Sequence, residues 1–467
     1  MPTLRSVGLA SALAAGLALQ ACGGNISPAT VPALTNPALS SSSAAVQPDS
    51  QQGLSKIQNV IMIIQENRSF DNLFQGFPKA DVQSYGYDSK GKKVTLEPIT
   101  MKTTWDVDHS STSFFAACNG TGTYPGTDCQ MNGFDQEAVS CGMPNYPKCP
   151  FKEPQYAYVP AKETKPYVAM ASQYVLADHM FTSNFDASSF VAHQYLIAAQ
   201  SSSAVNYPNS NEWGCEGGSG STIQTLTQQR TIHYGYRIPV CFNNKTLGDE
   251  LDAKTIPWAY YTAETPTGDG AYWSAYSAIE QIYNGPDWKK DVISPQTQFF
   301  SDVKAGKLRP MSWITPTCEN SDHAGCDDDT GPAWVASLVN AIGKSKYWDT
   351  TAIFVVWDDY GGWYDHVPPT KVDYDGLGFR VPMLVISPYA KVSYVSHKNY
   401  ELSSIVRFVE DRFGLATLSA SDKRALSPAG DCFDFTQKPR KFKAIPAKQN
   451  EDYFTRQLPD LRPVDTE

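Results

Sequence analysis

Apolar residues in this chain fall into short unbroken runs and into stripes at helical spacing. The run "VIMII", beginning at Val60, has five apolar residues in a row, the composition of a strand buried on both faces. Comparable runs predict strands at residues 59–64, 258–262, 311–315, 352–357 and 383–387. Helical spacing predicts helices at 166–176, 189–200, 332–343 and 401–413. In the last of these, Leu402, Ile405, Val406, Phe408, Val409 and Phe413 form one broad apolar stripe. Strands alternating with helices, with apolar strand interiors, predict an α/β fold: a mostly parallel central sheet flanked by helices. Residues 120–160 and 206–240 are rich in Gly, Cys and Tyr and have no period, so they read as long insertions.

In an open α/β sheet, ligands bind beyond the carboxyl ends of the strands. The first predicted strand runs into Glu66 and Asn67. The fourth runs into Asp358 and Asp359, then Gly361-Gly362 and Asp365-His366, and the third is followed by Glu319, Asp322 and His323. Carboxylates gathered at one end of a sheet repel one another and need a cation. Asp, Glu, Asn and His together suit one divalent ion such as Ca, Mg, Mn or Zn. The plainer alternative is that Asp358-Asp359 caps a turn before the glycines. Ser188 and Ser189 open the helix predicted at 189–200. A serine there can be a simple N-cap, or a nucleophile at the positive end of the helix dipole.

Composition narrows the classes. The chain has 467 residues, 41 % hydrophobic and 18 % charged, with a formal charge of −10. Such a balance offers no basic surface for nucleic acid or anionic lipid. At the start, Arg5 precedes an apolar run over residues 7–19 that is too short to span a bilayer, and "LQAC" ends at Cys22. This resembles a bacterial lipobox; an ordinary secretory signal is the alternative. The expected organisation is a lipoprotein signal peptide over 1–21, a lipidated Cys22, a Ser/Ala/Pro-rich tether over 22–55 and one domain over 56–467. The protein would then be exported and anchored by lipid to a membrane of the bacterial cell envelope. Nine of the ten cysteines remain beyond Cys22. Neighbours in sequence suggest Cys118–Cys129, Cys141–Cys149, Cys215–Cys241 and Cys318–Cys326, with Cys432 alone, though spacing leaves other pairings open. The chain has no CxxC, which favours disulfides in an oxidising compartment over zinc.

The segments "ENRSFDNLF", "ADHMFTSNFDASSFVAHQYL", "SDHAGCDDDTGPAWVASLVNAIGKSKYWDTTAIFVVWDDYGGWYDHVPP" and "GFRVPMLVISPYAK" together resemble the bacterial phospholipase C/acid phosphatase family of phosphoesterases, within the alkaline-phosphatase-like superfamily. The resemblance runs from about residue 56 to 415. It implies metal contacts at Glu66, Asn67, Asp358 and Asp359, and a nucleophile at Ser189 that also meets the metal, when His193-Gln194-Tyr195-Leu196 is aligned with the family's His-x-Tyr-Leu. It implies that His109 and His323 lie near the bound phosphate and that His366 belongs to the catalytic set. Asn67 would also donate to the phosphoryl group. The chain departs from the family's Gly-Pro before the nucleophile and Pro-Asn after it, which leaves Ser188 as a competitor. His179 and His193 read as structural, and Arg68 as a local ion-pair partner.

The function implied is a metal-dependent phosphoric-ester hydrolase with a phosphoserine intermediate. A serine nucleophile, and a chain that ends soon after its last motif, lean it towards an acid phosphatase acting on monoesters. The alternative is a phospholipase C cleaving phospholipid head groups, for which the aromatic fraction of 12 % would supply a lipid-accepting mouth. A reading of another class is a non-enzymatic calcium-binding surface lipoprotein. The histidines beside the acidic motifs disfavour it, because calcium prefers oxygen ligands.

Overall fold

A computed structural model describes residues 53–186, 188–263 and 271–458 of the chain. The predicted signal peptide, Cys22 and most of the tether lie outside the described residues. Leu54 is already buried against the core, so packing begins within the last residues assigned to the tether.

The segment NVIMIIQ forms strand β1 (Asn59–Gln65), and all seven of its residues are buried. It lies inside a sheet completed by β2 (Val175–Phe181), β3 (Trp258–Tyr261), β4 (Val292–Ile293), β5 (Met311–Ile314), β6 (Thr351–Trp357), β7 (Arg380–Ile386), β8 (Tyr394–Ser396) and β9 (Tyr400–Glu401). The order is β4-β3-β5-β1-β6-β7-β2-β8, with β9 also paired to β2. Only β7 runs against the others, antiparallel to both β6 and β2. Val60 stands opposite Met311 on one side and Ala352 on the other. That register brings the carboxyl ends of β5, β1 and β6 side by side.

All five predicted strands form, with ends shifted by up to three residues, and the central sheet is mostly parallel as expected. The helix predicted over 166–176 is corrected. Helix α2 (Lys165–Gln173) ends at Tyr174, and "VLADHMF" is β2, which no apolar run announced. Asp178 interrupts that run. Its fully buried carboxylate is satisfied by the Asp81 amide at 2.8 Å and His397 at 2.8 Å, so tertiary partners decide the strand. Helices α1 (Phe70–Phe74), α3 (Ser189–Ala198), α4 (Gly331–Gly343) and α5 (Leu402–Phe413) cover the sheet. The predicted stripe of α5 is its inner face: Leu402, Ile405, Val406, Phe408 and Val409 are buried, each contributing roughly 1.5–3 kcal/mol. Gly414, at φ +64°, closes the helix in the left-handed conformation that glycine adopts without strain. The four expected disulfides form, two of them pinning the insertion over residues 120–160, and Cys432 is a buried free thiol. Among the described residues, no helix is long and apolar enough to cross a membrane.

One polar knot ties β7 to α1. Arg380 is buried on β7 and donates to Asp365 at 2.8 and 3.1 Å. His366 engages Asp71 through Nδ1 at 2.6 Å and Asp81 through Nε2 at 3.1 Å. Burial alone would lower the His366 pKa, but the hydrogen bond and charge of Asp71, with Asp365 behind it, raise it above the ordinary histidine value. A raised folded-state pKa gives stability that is fully present below the unfolded value of about 6.5 and is lost as pH rises through the folded one. His366→Gln is therefore expected to lower Tm more at pH 6 than at pH 9, as read by thermal melts of both proteins. An equal loss at the two pH values would contradict this assignment.

Candidate functional site

β1 and β6 end together, and each delivers two polar residues. Asn67 takes a φ of +55°, left-handed backbone that asparagine tolerates better than most residues, and its amide donates to Asp358 Oδ1 at 3.0 Å. Asp359 turns back to accept from the Gly361 amide at 2.8 Å. The two glycines that follow are required by space and by conformation, with φ of +61° and +71°. A Cβ on Gly361 would stand 2.2 Å from the Asn67 carbonyl oxygen, and one on Gly362 would stand 2.3 Å from Val107 Cγ1.

Helix α3 brings the third component. Ser189 is its first residue and His193 lies four residues on, so both share one face. His193 Nε2 is 3.0 Å from Glu66 Oε1 and 3.5 Å from Asp358 Oδ2. His193, read from the sequence as structural, stands in the centre of the acidic cluster. Its spacing from Ser189 was the signal available. Ser189 Oγ is 3.3 Å from Asp359 Oδ2 and 3.4 Å from the Asn67 carboxamide oxygen. The neighbouring Ser188 hydroxyl is buried and makes no hydrogen bond among the described residues.

This cluster is short of positive charge. The side chains of Glu66 and Asp358 are fully buried and that of His193 is 1 % exposed. Burial, and then the charge of Asp358, push the Glu66 carboxyl well above its usual range. Burial also acts against ionised Asp358, yet its hydrogen bond to and charge interaction with His193 hold it below the carboxylate range. His193 in turn overcomes its own burial through the Glu66 charge and is pushed up to about 10. Two acids thus compete for one imidazole.

The Asn67 carboxamide divides the site. One end lies 3.2 Å from both Glu66 Oε2 and Asp358 Oδ1; the other lies 2.8 Å from His109 Nε2 and 3.0 Å from His323 Nε2. His109 Nδ1 meets the Val107 carbonyl at 2.7 Å, and His323 Nδ1 meets the Ala324 carbonyl. A ring that donates from Nδ1 presents a lone pair at Nε2, so the amide nitrogen belongs on the histidine side. The amide oxygen then faces two carboxylates and the Ser189 hydroxyl. Oxygens converging in this way form the donor set of a cation. The residues present therefore fit a divalent ion. Two donors each about 2.1 Å from an ion stand roughly 3.0 Å apart at a right angle and roughly 3.4 Å apart at a tetrahedral one, the spacing these atoms have.

The two histidine rings lie 6.0 Å apart, and His323 is stacked on Trp273 at 5.8 Å. Gln65, which the sequence reading did not single out, holds the His323 loop. Its Nε2 donates to the Asn320 carbonyl at 3.0 Å and its Oε1 accepts from the Asp322 amide at 3.0 Å. The disulfide Cys318–Cys326 closes the same loop. Asp322 is a structural acid: it accepts from Tyr167 and Trp357, and burial pushes it up to about 6. Glu319 lies elsewhere, accepting from Gln457 at 3.2 Å. Arg68, expected to form a local ion pair, instead donates to the Asn72 carboxamide and to the carbonyls of Asp322 and Met101. His366 is not brought to this cluster, since both of its ring nitrogens are taken by the knot with Asp71 and Asp81.

The sequence pattern of the Phosphoesterase family matches residues 57–416. The chain is 25 % identical over 418 residues to the non-hemolytic phospholipase C of Pseudomonas aeruginosa, an alignment covering 78 % of this chain and 54 % of that protein. It is 24 % identical over 410 residues to the non-specific phospholipase C6 of Arabidopsis thaliana, covering 79 % and 70 %. Phospholipase C B of Mycobacterium tuberculosis is 30 % identical over 190 residues, covering 34 % of this chain and 36 % of that protein. The chain thus spans about half the length, or less, of two of these relatives. A solved protein of the alkaline phosphatase superfamily from Vibrio parahaemolyticus superposes with a TM-score of 0.34 at 10 % identity, covering 77 % of this chain and 67 % of that one. The matched stretch contains Glu66, Asn67, His109, Ser189, His193, His323, Asp358 and Asp359, and on that match the chain belongs to the Phosphoesterase family.

Proposed function

We propose that this chain is a metal-dependent hydrolase of phosphoric esters acting through Ser189. The observation that carries this reading is the Ser189 hydroxyl, 3.3 Å from Asp359 and 3.4 Å from Asn67, at the start of a buried ten-residue helix beside two buried acids that share one imidazole. Glu66, Asn67, Asp358, Asp359 and Ser189 would hold one divalent ion. When bound, that ion supplies positive charge that lowers the pKa of the serine hydroxyl and offsets the charge of the ester.

Ser189 Oγ, its proton released to solvent, attacks phosphorus as the bond to the leaving oxygen breaks, giving a phosphoserine. Amides at the N-terminus of α3 donate to the phosphoryl oxygens. In this step Nε2 of His109 or His323 gives up its hydrogen bond with Asn67, takes up a proton and passes it to the leaving oxygen. The resulting neutral ring takes a proton from water, which attacks phosphorus and releases the serine oxygen. The serine nucleophile leans the reading towards monoesters. A second reading, cleavage of phospholipid head groups, is favoured by relatives that carry the name phospholipase C. We also retain the proposal that the segment before residue 56 exports the protein and anchors it to an envelope membrane as a lipoprotein.

Turnover of p-nitrophenyl phosphate and of p-nitrophenyl phosphorylcholine separates the two substrates. Ser189→Ala is expected to lower kcat on the preferred ester by about 10³-fold or more, while Ser188→Ala keeps activity within about threefold of wild type. Loss in Ser188→Ala with activity kept in Ser189→Ala would move the nucleophile one residue. Chelation is expected to abolish turnover and re-added divalent ion to restore it. A folded protein that binds calcium but hydrolyses neither ester with any divalent ion would instead support the non-enzymatic reading.

A further inference from the structure

Three groups of acidic or histidine side chains among the described residues have donor atoms close enough to share an ion: Asp71/Asp365/His366, Asp252/Asp287/Asp291 and Glu66/His193/Asp358. Two of them already hold cations of the protein. Arg380 lies 2.8 Å from Asp365, and Lys290 lies 3.0 Å from Asp291, which Arg309 also contacts. Among the described residues, no Lys or Arg forms an ion pair with Glu66 or Asp358; their only positive partner is His193.

We propose that His193 Nε2 is itself a ligand of the ion, and that this nitrogen makes the site select a borderline transition ion of the Zn2+ or Mn2+ class over Mg2+ or Ca2+. The inference rests on the metal-dependent reading above and goes beyond its all-oxygen set. The donor atoms of Glu66, His193 and Asp358 lie within 4.8 Å of one another. His193 Nε2 stands 3.0 Å from Glu66 Oε1 and 3.5 Å from Asp358 Oδ2, the carboxylate oxygens turned away from Asn67, and all three atoms are close enough to reach one ion. Among the described residues no second hydrogen bond orients the ring. His193 Nδ1 makes no hydrogen bond among the described residues, so the hydrogen bonding of this buried imidazole is all on the side facing the two acids. The helix fixes that direction, because Ser189 and His193 stand one turn apart with both side chains towards β1 and β6.

The chemistry of the donor decides the class of ion. Mg2+ and Ca2+ take oxygen ligands, and an imidazole in place of a carboxylate or carbonyl costs them affinity. Imidazole suits Zn2+ and its first-row neighbours, and carboxylate oxygens suit Mn2+ as well. His109 and His323 do not compete for the ion, because the Asn67 carboxamide stands between them and the acids.

The test uses the full chain, stripped with chelator and loaded with less than one equivalent of Mn2+. Pulsed electron paramagnetic resonance is expected to show the hyperfine coupling of one directly bound imidazole nitrogen in wild type and none in His193→Gln. Calorimetric titrations with Zn2+, Mn2+, Mg2+ and Ca2+ give the second readout. Wild type is expected to bind Zn2+ and Mn2+ at least about tenfold more tightly than Mg2+ or Ca2+, and His193→Gln is expected to lose about 10–100-fold for the first pair and little for the second. Circular dichroism and a thermal melt establish that the variant is folded, and if it is not, the wild-type spectrum and affinity order decide alone. Bound Mn2+ without nitrogen coupling, or a preference for Ca2+ or Mg2+, overturns the role of His193 and leaves the hydrolase reading standing. A folded wild type that binds none of the four ions overturns both.

Discussion

Two carboxylates, Glu66 and Asp358, are buried at the ends of neighbouring strands with one imidazole between them. Much of the local architecture is arranged around that pair. The β1–β6 pairing sets the two acids side by side, and the Gly361-Gly362 turn lets the chain pass close to Asn67 and Val107. The wholly buried helix α3 then presents Ser189 and His193 to the acids from one face. Burying two like charges without a lysine or arginine is costly unless an ion or a proton joins them. The arrangement is held by strand pairing, by the side-chain hydrogen bonds of Gln65 and by the disulfide Cys318–Cys326.

The frame extends outward in identifiable steps. Gln65, at the last position of β1, carries the strand's geometry to the loop of His323 through two side-chain hydrogen bonds, and Cys318–Cys326 closes that loop. Trp273 lies against the His323 ring on the other side. The imidazoles and the acids are therefore held by separate elements that meet at one residue, Asn67. A carboxamide suits that position because its two ends differ: an oxygen can face a cation site while a nitrogen donates to histidine lone pairs.

Much of this was legible in the sequence. The unbroken apolar runs located five strands, and the polar residues immediately after them included both acids, Asn67 and Asp359. Sequence neighbours paired all eight bridged cysteines. What stayed hidden depended on contacts between distant residues. β2 carries Asp178 within it, and that side chain is compatible with a buried strand only because the Asp81 amide and His397 reach it. The reversed direction of β7 is a matter of chain topology, which an apolar run cannot report. His193 looked like any histidine on an apolar helix until α3 was docked against β1. His366 sits beside an acidic motif in sequence, but its ring is turned to Asp71 and Asp81 instead. In each case a side chain's meaning was set by an element far away in sequence.

The most direct test of the central claim is to quench the enzyme with acid while it turns over whichever phosphate ester it accepts, and to locate the trapped group by peptide mass spectrometry. The account predicts a phosphoryl adduct on Ser189 that forms only with divalent ion present. An active enzyme whose adduct sits on Ser188 or on a histidine, or whose trapping on Ser189 persists unchanged after chelation, would contradict it.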